Sequence, residues 1–152
     1  MGAQDSNRHL VFRAGNAWAA VPVPAVLEIR ALPEYTPLPG QPRFMRGLIV
    51  VDEKIVPVIE LGEALGLEAE ETESKVRRGR LVVLGQEKRR MGIHTSRVLG
   101  FVDLREEERA GVEVLAGPIA AIAEEAYMAL DGWVAVSTFD KLFGHVRGLI
   151  TR

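Results

Sequence analysis

The apolar residues of this chain come in short, β-branched runs that break off at turn residues, and this punctuation limits what it can fold into. The clearest instance is GLIVVDEKIVPVIEL, from Gly47 to Leu61, where two apolar runs meet at Asp52, Glu53 and Lys54. Two such runs around a polar tip read as a hairpin. Two-residue hairpin loops favour Asn-Gly or Asp-Gly, because both central residues take positive φ. Asp52-Glu53 has no glycine, so a longer loop or another turn type is expected there.

The same logic runs through the chain. LVFR (Leu10–Arg13) and AWAAVPV read as a first hairpin around Gly15-Asn16. Pro22 and Pro24 place a strand end there, and Pro24 suits the start of a helical turn. AVLEIRAL is a third strand. The proline-rich stretch Leu32–Arg43 reads as an ordered extended loop, since proline restricts the unfolded chain. IELGEALGL reads as a short helix stopped at Gly66. LVVLG and MGIHTSRVLGFVDL give further strands around the polar tip QEKRR, with a break at Gly100. IAAIAEEAYMAL is ambiguous between helix and strand, and the flanking Gly117-Pro118 and Asp131-Gly132 turns favour strand. STFDKLFGHVRGLI reads as a closing amphipathic helix capped by Ser137 or Thr138. The sum is roughly nine or ten short strands at the spacing of small barrels. No internal sequence repeat is evident.

At 152 residues the chain suits one domain or two small subdomains with a common core. With 47% hydrophobic and 26% charged residues it has an ordinary globular composition, and its net charge of −2 creates no field for nucleic acid or anionic lipid. The absence of cysteine excludes disulfides, thiolate zinc sites and cysteine nucleophiles, and fits a cytoplasmic setting. MGAQDSNRHLVF lacks a signal-peptide core, so export is not expected. MGAQDS fits the myristoylation pattern, but that pattern is short and chance explains it. No apolar run approaches the ~18–20 residues of a membrane helix. Residues 68–79, acidic and then basic, read as an internal polar linker, and 1–7 as a flexible N-terminus.

Catalytic constellations are missing. His9, His94 and His145 form no HExxH or His-x-His pair. In His94-Thr95-Ser96 neighbouring strand residues face opposite ways, and no elbow glycines flank Ser96. Asp52 and Glu53 on a solvated tip lack the converging, desolvated geometry of an acid–base pair. The glutamates 106–108 read as a solvated loop. Gly62, Gly66 and Gly79 match no phosphate-cradling pattern. A small barrel that binds another signalling protein or RNA is the alternative, and the basic clusters KVRRGR (75–80) and EKRR (87–90) raise the RNA case. That would need exposed aromatic platforms, and Phe12 and Phe101 read as core. No metal or other cofactor is expected.

An ordered set of motifs from Leu10 to Phe143 resembles the CheW-like domain family. LVFRAGNAWAAVPVPAVLEIRALPEYTPLPGQPRFMRGLIVVDEKIVPVIELGEALGL is similar to its first half. That half has a glycine-turned strand pair, a V.E strand, a proline-bearing loop and a closing ivPviDL strand. RLVVLGQEKRRMGIHTSRVLGFVDL and DGWVAVSTFDKLFG resemble its second half. The resemblance implies a mainly β fold: two small five-stranded SH3-like barrels sharing a core, with short helices and a C-terminal helix, over residues 8–152. It implies a non-enzymatic adaptor in a bacterial chemosensory pathway, cytoplasmic and recruited to receptor arrays. Such an adaptor couples a methyl-accepting chemoreceptor to the regulatory domain of the chemotaxis histidine kinase. Carried over residue by residue, the contact positions are Val26 and Glu28 on the third strand, then Pro42, Phe44, Arg46 and Gly47 before and at the fourth. For Val26 the competing reading is core packing, and for Glu28 a solvated strand position. Where the family has Asn-Leu-Arg-Gly this chain has Val50, Val51, Asp52 and Glu53. A basic contact thus becomes acidic, which makes Asp52 and Glu53 candidate specificity residues. Thr95-Ser96 and Val136-Ser137-Thr138 also depart from the pattern, which points to weakened kinase coupling.

Overall fold

The computed structural model of the chain describes residues 7–69, 79–129 and 132–150. The expected linker between 68 and 79 falls mostly outside these residues, as do positions 1–6 of the expected N-terminal tail and Asp131.

The described residues form eleven strands in two sheets. The first hairpin is β1 (Arg8–Ala14) and β2 (Ala17–Pro22), turned by Gly15 at φ 59°. A 3-10 turn, Val23–Ala25, carries the chain across to β3 (Val26–Ala31). β4 (Met45–Val51) and β5 (Lys54–Glu60) form the next hairpin, followed by helix α1 (Leu61–Leu65). The second half gives β6 (Arg80–Gln86), β7 (Arg89–Thr95), β8 (Val98–Asp103) and the two-residue β9 (Arg109–Ala110). The last hairpin is β10 (Glu125–Ala129) and β11 (Gly132–Val136), and helix α2 (Phe139–Ile150) closes the fold. The sheet orders are β8-β1-β2-β11-β10-β9 and β3-β6-β7-β5-β4.

Each sheet therefore mixes strands of both halves: β1 and β2 stand among β8–β11, and β6 and β7 among β3–β5. β3 leaves the first hairpin to pair with β6, and β8 leaves the third hairpin to pair with β1. The halves repeat one plan in fine detail. β5 runs parallel to β7, as β11 runs parallel to β2. The β3 register skips Leu27, and the β8 register skips Leu99. The bridge Thr36–Leu48 lies on β4 where β9 Ala110 pairs with β10 Ala126. Both helices start from a side-chain cap three residues before the amide it accepts: Glu60 for Glu63 N–H (3.4 Å) and Thr138 for Lys141 N–H (3.1 Å). The repeat is invisible in the sequence because sheet pairing fixes which face a residue takes, not which apolar residue fills it.

Three apolar clusters result. One lies inside each barrel: Val11, Trp18, Ala20, Tyr127, Val134 in the first, and Ile49, Val56, Val58, Leu81, Val83 in the second. The third and largest lies between the sheets and includes Leu10, Phe12, Ile59, Leu84, Met91, Ile93, Ile122 and Leu142. α2 docks on it through Phe139, Leu142 and Val146, and Arg89 fastens that helix by a 2.7 Å ion pair with Asp140 above the Phe139 and Phe143 rings.

Several local expectations give way. The Asp52-Glu53 loop is a two-residue turn after all: Val51 pairs with Lys54, and the turn residues sit at φ 50° and 66°. Val51 and Val56 are anchored in the barrel, so the register leaves no room for a longer loop. Gly100 is no break: it lies within β8 beside the skipped Leu99, while the break comes at Ser96-Arg97. The segment around IAAIAEEAYMAL divides into a 3-10 helix, Pro118–Ile122, and strand β10. Phe12 is core, but Phe101 is 52% exposed on β8, an outer strand of its sheet.

Positive φ costs a residue with a side chain about 1–2 kcal/mol relative to glycine, against up to ~1 kcal/mol of extra chain entropy that glycine brings. Glu53→Gly is accordingly expected to stabilise the fold by about 0.5–1 kcal/mol in urea titrations with an unchanged m-value.

Candidate docking surface

The carried-over residues fall into three places. On β3, Val26 is half-buried at the margin of the inter-sheet core. Glu28 is half-exposed and lies 3.5 Å from Arg30 of the same strand. Such a pair contributes ~0–1 kcal/mol, so a partner's cation displaces it at little cost. Leu27 and Ile29, on either side of Glu28, are exposed. β3 is also an outer strand of its sheet, with one backbone edge unpaired within it. Glu28 pairs with Val83 of the second barrel and Ile29 with Val82 of the inter-sheet core, so the acid and Ile29 face opposite sides of β3. The aliphatic side offers an apolar contact for a helix, and Glu28 can select a basic residue at its rim.

The second group builds the scaffold of the loop. Pro42 accepts the Met45 amide at 3.0 Å, and Phe44 packs against the inter-sheet core while its carbonyl accepts the Glu60 amide at 2.8 Å. Arg46 is committed to Glu63 at 2.9 Å, and Arg43 reaches the same carboxylate at 3.5 Å. Gly47 is buried, and a Cβ there would fall on the Thr36 carbonyl oxygen and 2.8 Å from the Tyr35 ring. This close approach lets Leu48 exchange both backbone bonds with Thr36 (2.9 and 3.0 Å), which pins the proline-rich loop over the barrel.

The third group is the β4–β5 tip. Asp52 and Glu53 are exposed, beside Val50 and Ile55, which face each other across the hairpin at 65% and 69% exposure. β3 and β4 are the two outer strands of their sheet, with three strands between. The eight positions thus fall on β3, on the segment from Pro42 to Gly47 and at the β4–β5 turn. Val26 and Glu28 belong to one surface, Asp52 and Glu53 to another, and Gly47 and Arg46 position the loop between them.

Sequence reasoning missed Leu27, Ile29, Val50, Ile55, Leu99 and Phe101 as exposed apolar residues. The signal was present in part. VLEIRA and VLGFVD share one alternation of half-buried and exposed positions, and each has a residue that the register skips. Thr95 is buried and its hydroxyl donates to the Arg13 carbonyl at 2.7 Å, tying β7 to β1. Among the described residues no group of three or more His, Asp or Glu side chains could hold a metal. No described helix is long and apolar enough to cross a membrane.

One carboxylate under the loop is electrostatically uncomfortable. Burial pushes the Glu60 carboxyl above its ordinary 4.5, against the opposing pull of the Glu63 amide and Arg46. The folded state therefore holds the Glu60 proton more tightly than the unfolded chain does. That contribution is complete below 4.5 and is lost as pH rises through the folded value. Glu60→Gln keeps an oxygen for the Glu63 amide but has no charge to bury. In urea titrations at about pH 4 and about pH 7 the variant should gain on the wild type as pH rises; a pH-independent difference would contradict the burial cost. Gly47→Ala is expected to destabilise by roughly 2–3 kcal/mol, because its Cβ meets backbone rather than a flexible side chain.

Comparison with known proteins agrees with this architecture. The model of the CheW-like domain matches residues 8–127. The crystal structure of scaffolding protein TtCheW from Thermoanaerobacter tengcongensis superposes with a TM-score of 0.73 at 20% identity, covering 91% of this chain and 92% of that one. Comparison with curated proteins returns no match. The chain belongs to the CheW-like domain family, a family of non-enzymatic scaffolds.

Proposed function

We propose that this chain is an adaptor of a bacterial chemosensory pathway, with residues 8–152 acting as one CheW-like domain of two barrel halves. Its β3 surface takes the helical cytoplasmic tip of a methyl-accepting chemoreceptor, which recruits it to receptor arrays in the cytoplasm. The observation that carries this reading is the open edge of β3, with Leu27 and Ile29 exposed and Glu28 half-exposed on the face opposite Ile29. The family supplies the class of partner, and the strand supplies a surface of matching chemistry: apolar contact with one rim charge.

The β4–β5 tip is the second contact, directed at the regulatory domain of the chemotaxis histidine kinase. An acidic Asp52-Glu53 turn beside exposed Val50 and Ile55 favours a basic, apolar partner over an acidic one. A partner tuned to the family's usual arginine is repelled there, and kinase coupling is correspondingly weakened.

Calorimetric titration against the cognate receptor's cytoplasmic domain and the kinase's regulatory domain tests both statements. Ile29→Asp should lower receptor affinity at least tenfold, about 1.4 kcal/mol, and leave kinase affinity unchanged. Asp52→Arg combined with Glu53→Gly should change kinase affinity by more than ~1 kcal/mol, well outside the ~0.5 kcal/mol of an inert surface site. Failure of the wild type to bind either domain would sink the adaptor reading.

A further inference from the structure

The repeated plan of the two halves exposes one position where they differ sharply. Next to the β1–β2 turn, Arg13 pairs across the hairpin with Trp18. Next to the β6–β7 turn, the equivalent pair is Gly85 and Arg90. In the first barrel Trp18 is 9% exposed and plugs the mouth, with the Arg13 guanidinium 4.0 Å above its ring and that of Arg97 at 5.3 Å. In the second barrel nothing plays the part of the tryptophan. A cleft of about 440 Å³ opens there, lined by Pro22, Pro24, Leu27, Gly85, Arg90 and Phe139.

The cleft has an apolar wall and a held cation. The Arg90 guanidinium donates through one nitrogen to the carbonyls of Glu87 (2.6 Å) and Arg89 (2.9 Å). Among the described residues it has no carboxylate partner. Leu27 leans over the bare backbone of Gly85, where a Cβ would stand 2.6 Å from Leu27 Cδ1 and 2.9 Å from Arg90 Cδ, yet it stays 48% exposed. Glu87 and Gln86 border the rim, and Thr138, the cap of the twelve-residue α2, borders the opposite side.

We propose that this open mouth is a docking site for a protein segment carrying an aromatic side chain next to a carboxylate. The aromatic ring enters between Leu27, Pro24 and Phe139 and lies against the Arg90 guanidinium, as Trp18 lies against Arg13 in the other barrel. The carboxylate takes the remaining guanidinium donors, a charge-assisted contact that the fold itself leaves unused. The volume suits one large side chain and its flanking backbone. The β4–β5 tip and its kinase contact lie elsewhere, so this site stands apart from that reading. It meets the β3 surface only at Leu27.

Titration of the ¹⁵N-labelled full chain with the peptide Gly-Ser-Glu-Phe-Glu-Ser-Gly tests this, with a Phe→Ser and a Glu→Lys version as controls. Saturable amide shifts are expected at Leu27, Gly85, Arg90 and Thr138, with affinity at least fivefold weaker for either control. Arg90→Gln should weaken the parent peptide at least fivefold while leaving the dispersion of the remaining spectrum intact. Gly85→Arg combined with Arg90→Trp transplants the plug of the first barrel and should abolish the shifts; if that variant fails to fold, Arg90→Gln and the control peptides still decide. No shift at about 2 mM peptide, shifts outside the cleft, or equal binding of the lysine version would each overturn the proposal.

Discussion

The exchange of β3 and β8 between the sheets is the constraint on which the rest of the structure depends. A five-stranded sheet built only from local hairpins would leave the β6 and β1 edges open and the two barrels free to separate. Because each barrel is built from strands of both halves, neither half can bury its own interior alone. The inter-sheet core follows from this. Leu10 and Phe12 of β1 and Val82 and Leu84 of β6 are brought face to face by the two crossing strands. The crossing strands are also the outer strands, so the elements that hold the halves together are the ones that keep an edge toward solvent. Core packing and exposed apolar surface thus sit on the same strand: Val26 leans on the core while Leu27 and Ile29 stay exposed.

The repeated plan separates what the fold requires from what this chain has specialised. Required features recur in both halves: the skipped Leu27 and Leu99, the bridge onto the outer side of the penultimate hairpin, the capped helix after it. Specialised features differ. The first helix is capped by Glu60, a carboxylate whose burial raises its pKa, and the second by Thr138, a neutral hydroxyl that does the same work without a buried charge. One barrel mouth holds a tryptophan under two guanidinium groups, and the other holds a glycine and an arginine. A feature that one half manages without is not demanded by the architecture, which is a physical reason to look for function there.

Most of the architecture was legible because it is written in local chemistry. Gly15-Asn16, Pro22 and Pro24, Gly66 and the Ser137-Thr138 pair punctuate the chain, and each marks a real boundary. What was not legible is set by distant partners. The β4–β5 turn looked too poor in glycine for two residues, yet buried valines on both strands force that register. Gly100 looked like a break and is part of a bulged strand, because β1 pairs across it. Phe101 has the composition of core and the address of an edge. The site was legible only as a list of positions. That Gly47 is a point of close backbone approach, and that Val26 and Asp52 lie on opposite outer strands, follows from pairing that no local pattern encodes.

The charged tip of GLIVVDEKIVPVIEL unites two features that work against stability. Asp52 and Glu53 both occupy positive φ without being glycine, and Val50 and Ile55 hold two aliphatic side chains in water. Glycine in the turn and polar residues on the outer face would relieve both without touching the barrel interior, which takes Ile49, Val51, Val56 and Val58 from this hairpin. The other hairpin repeats the outward pair, at Met128 and Trp133, but with Met128 at 39% exposure against the 65% and 69% of Val50 and Ile55. The two hairpin ends are therefore equivalent in position and unequal in exposure. Backbone strain and uncovered apolar surface are features that a contact can keep at the fold's expense, and at the Asp52-Glu53 turn they coincide.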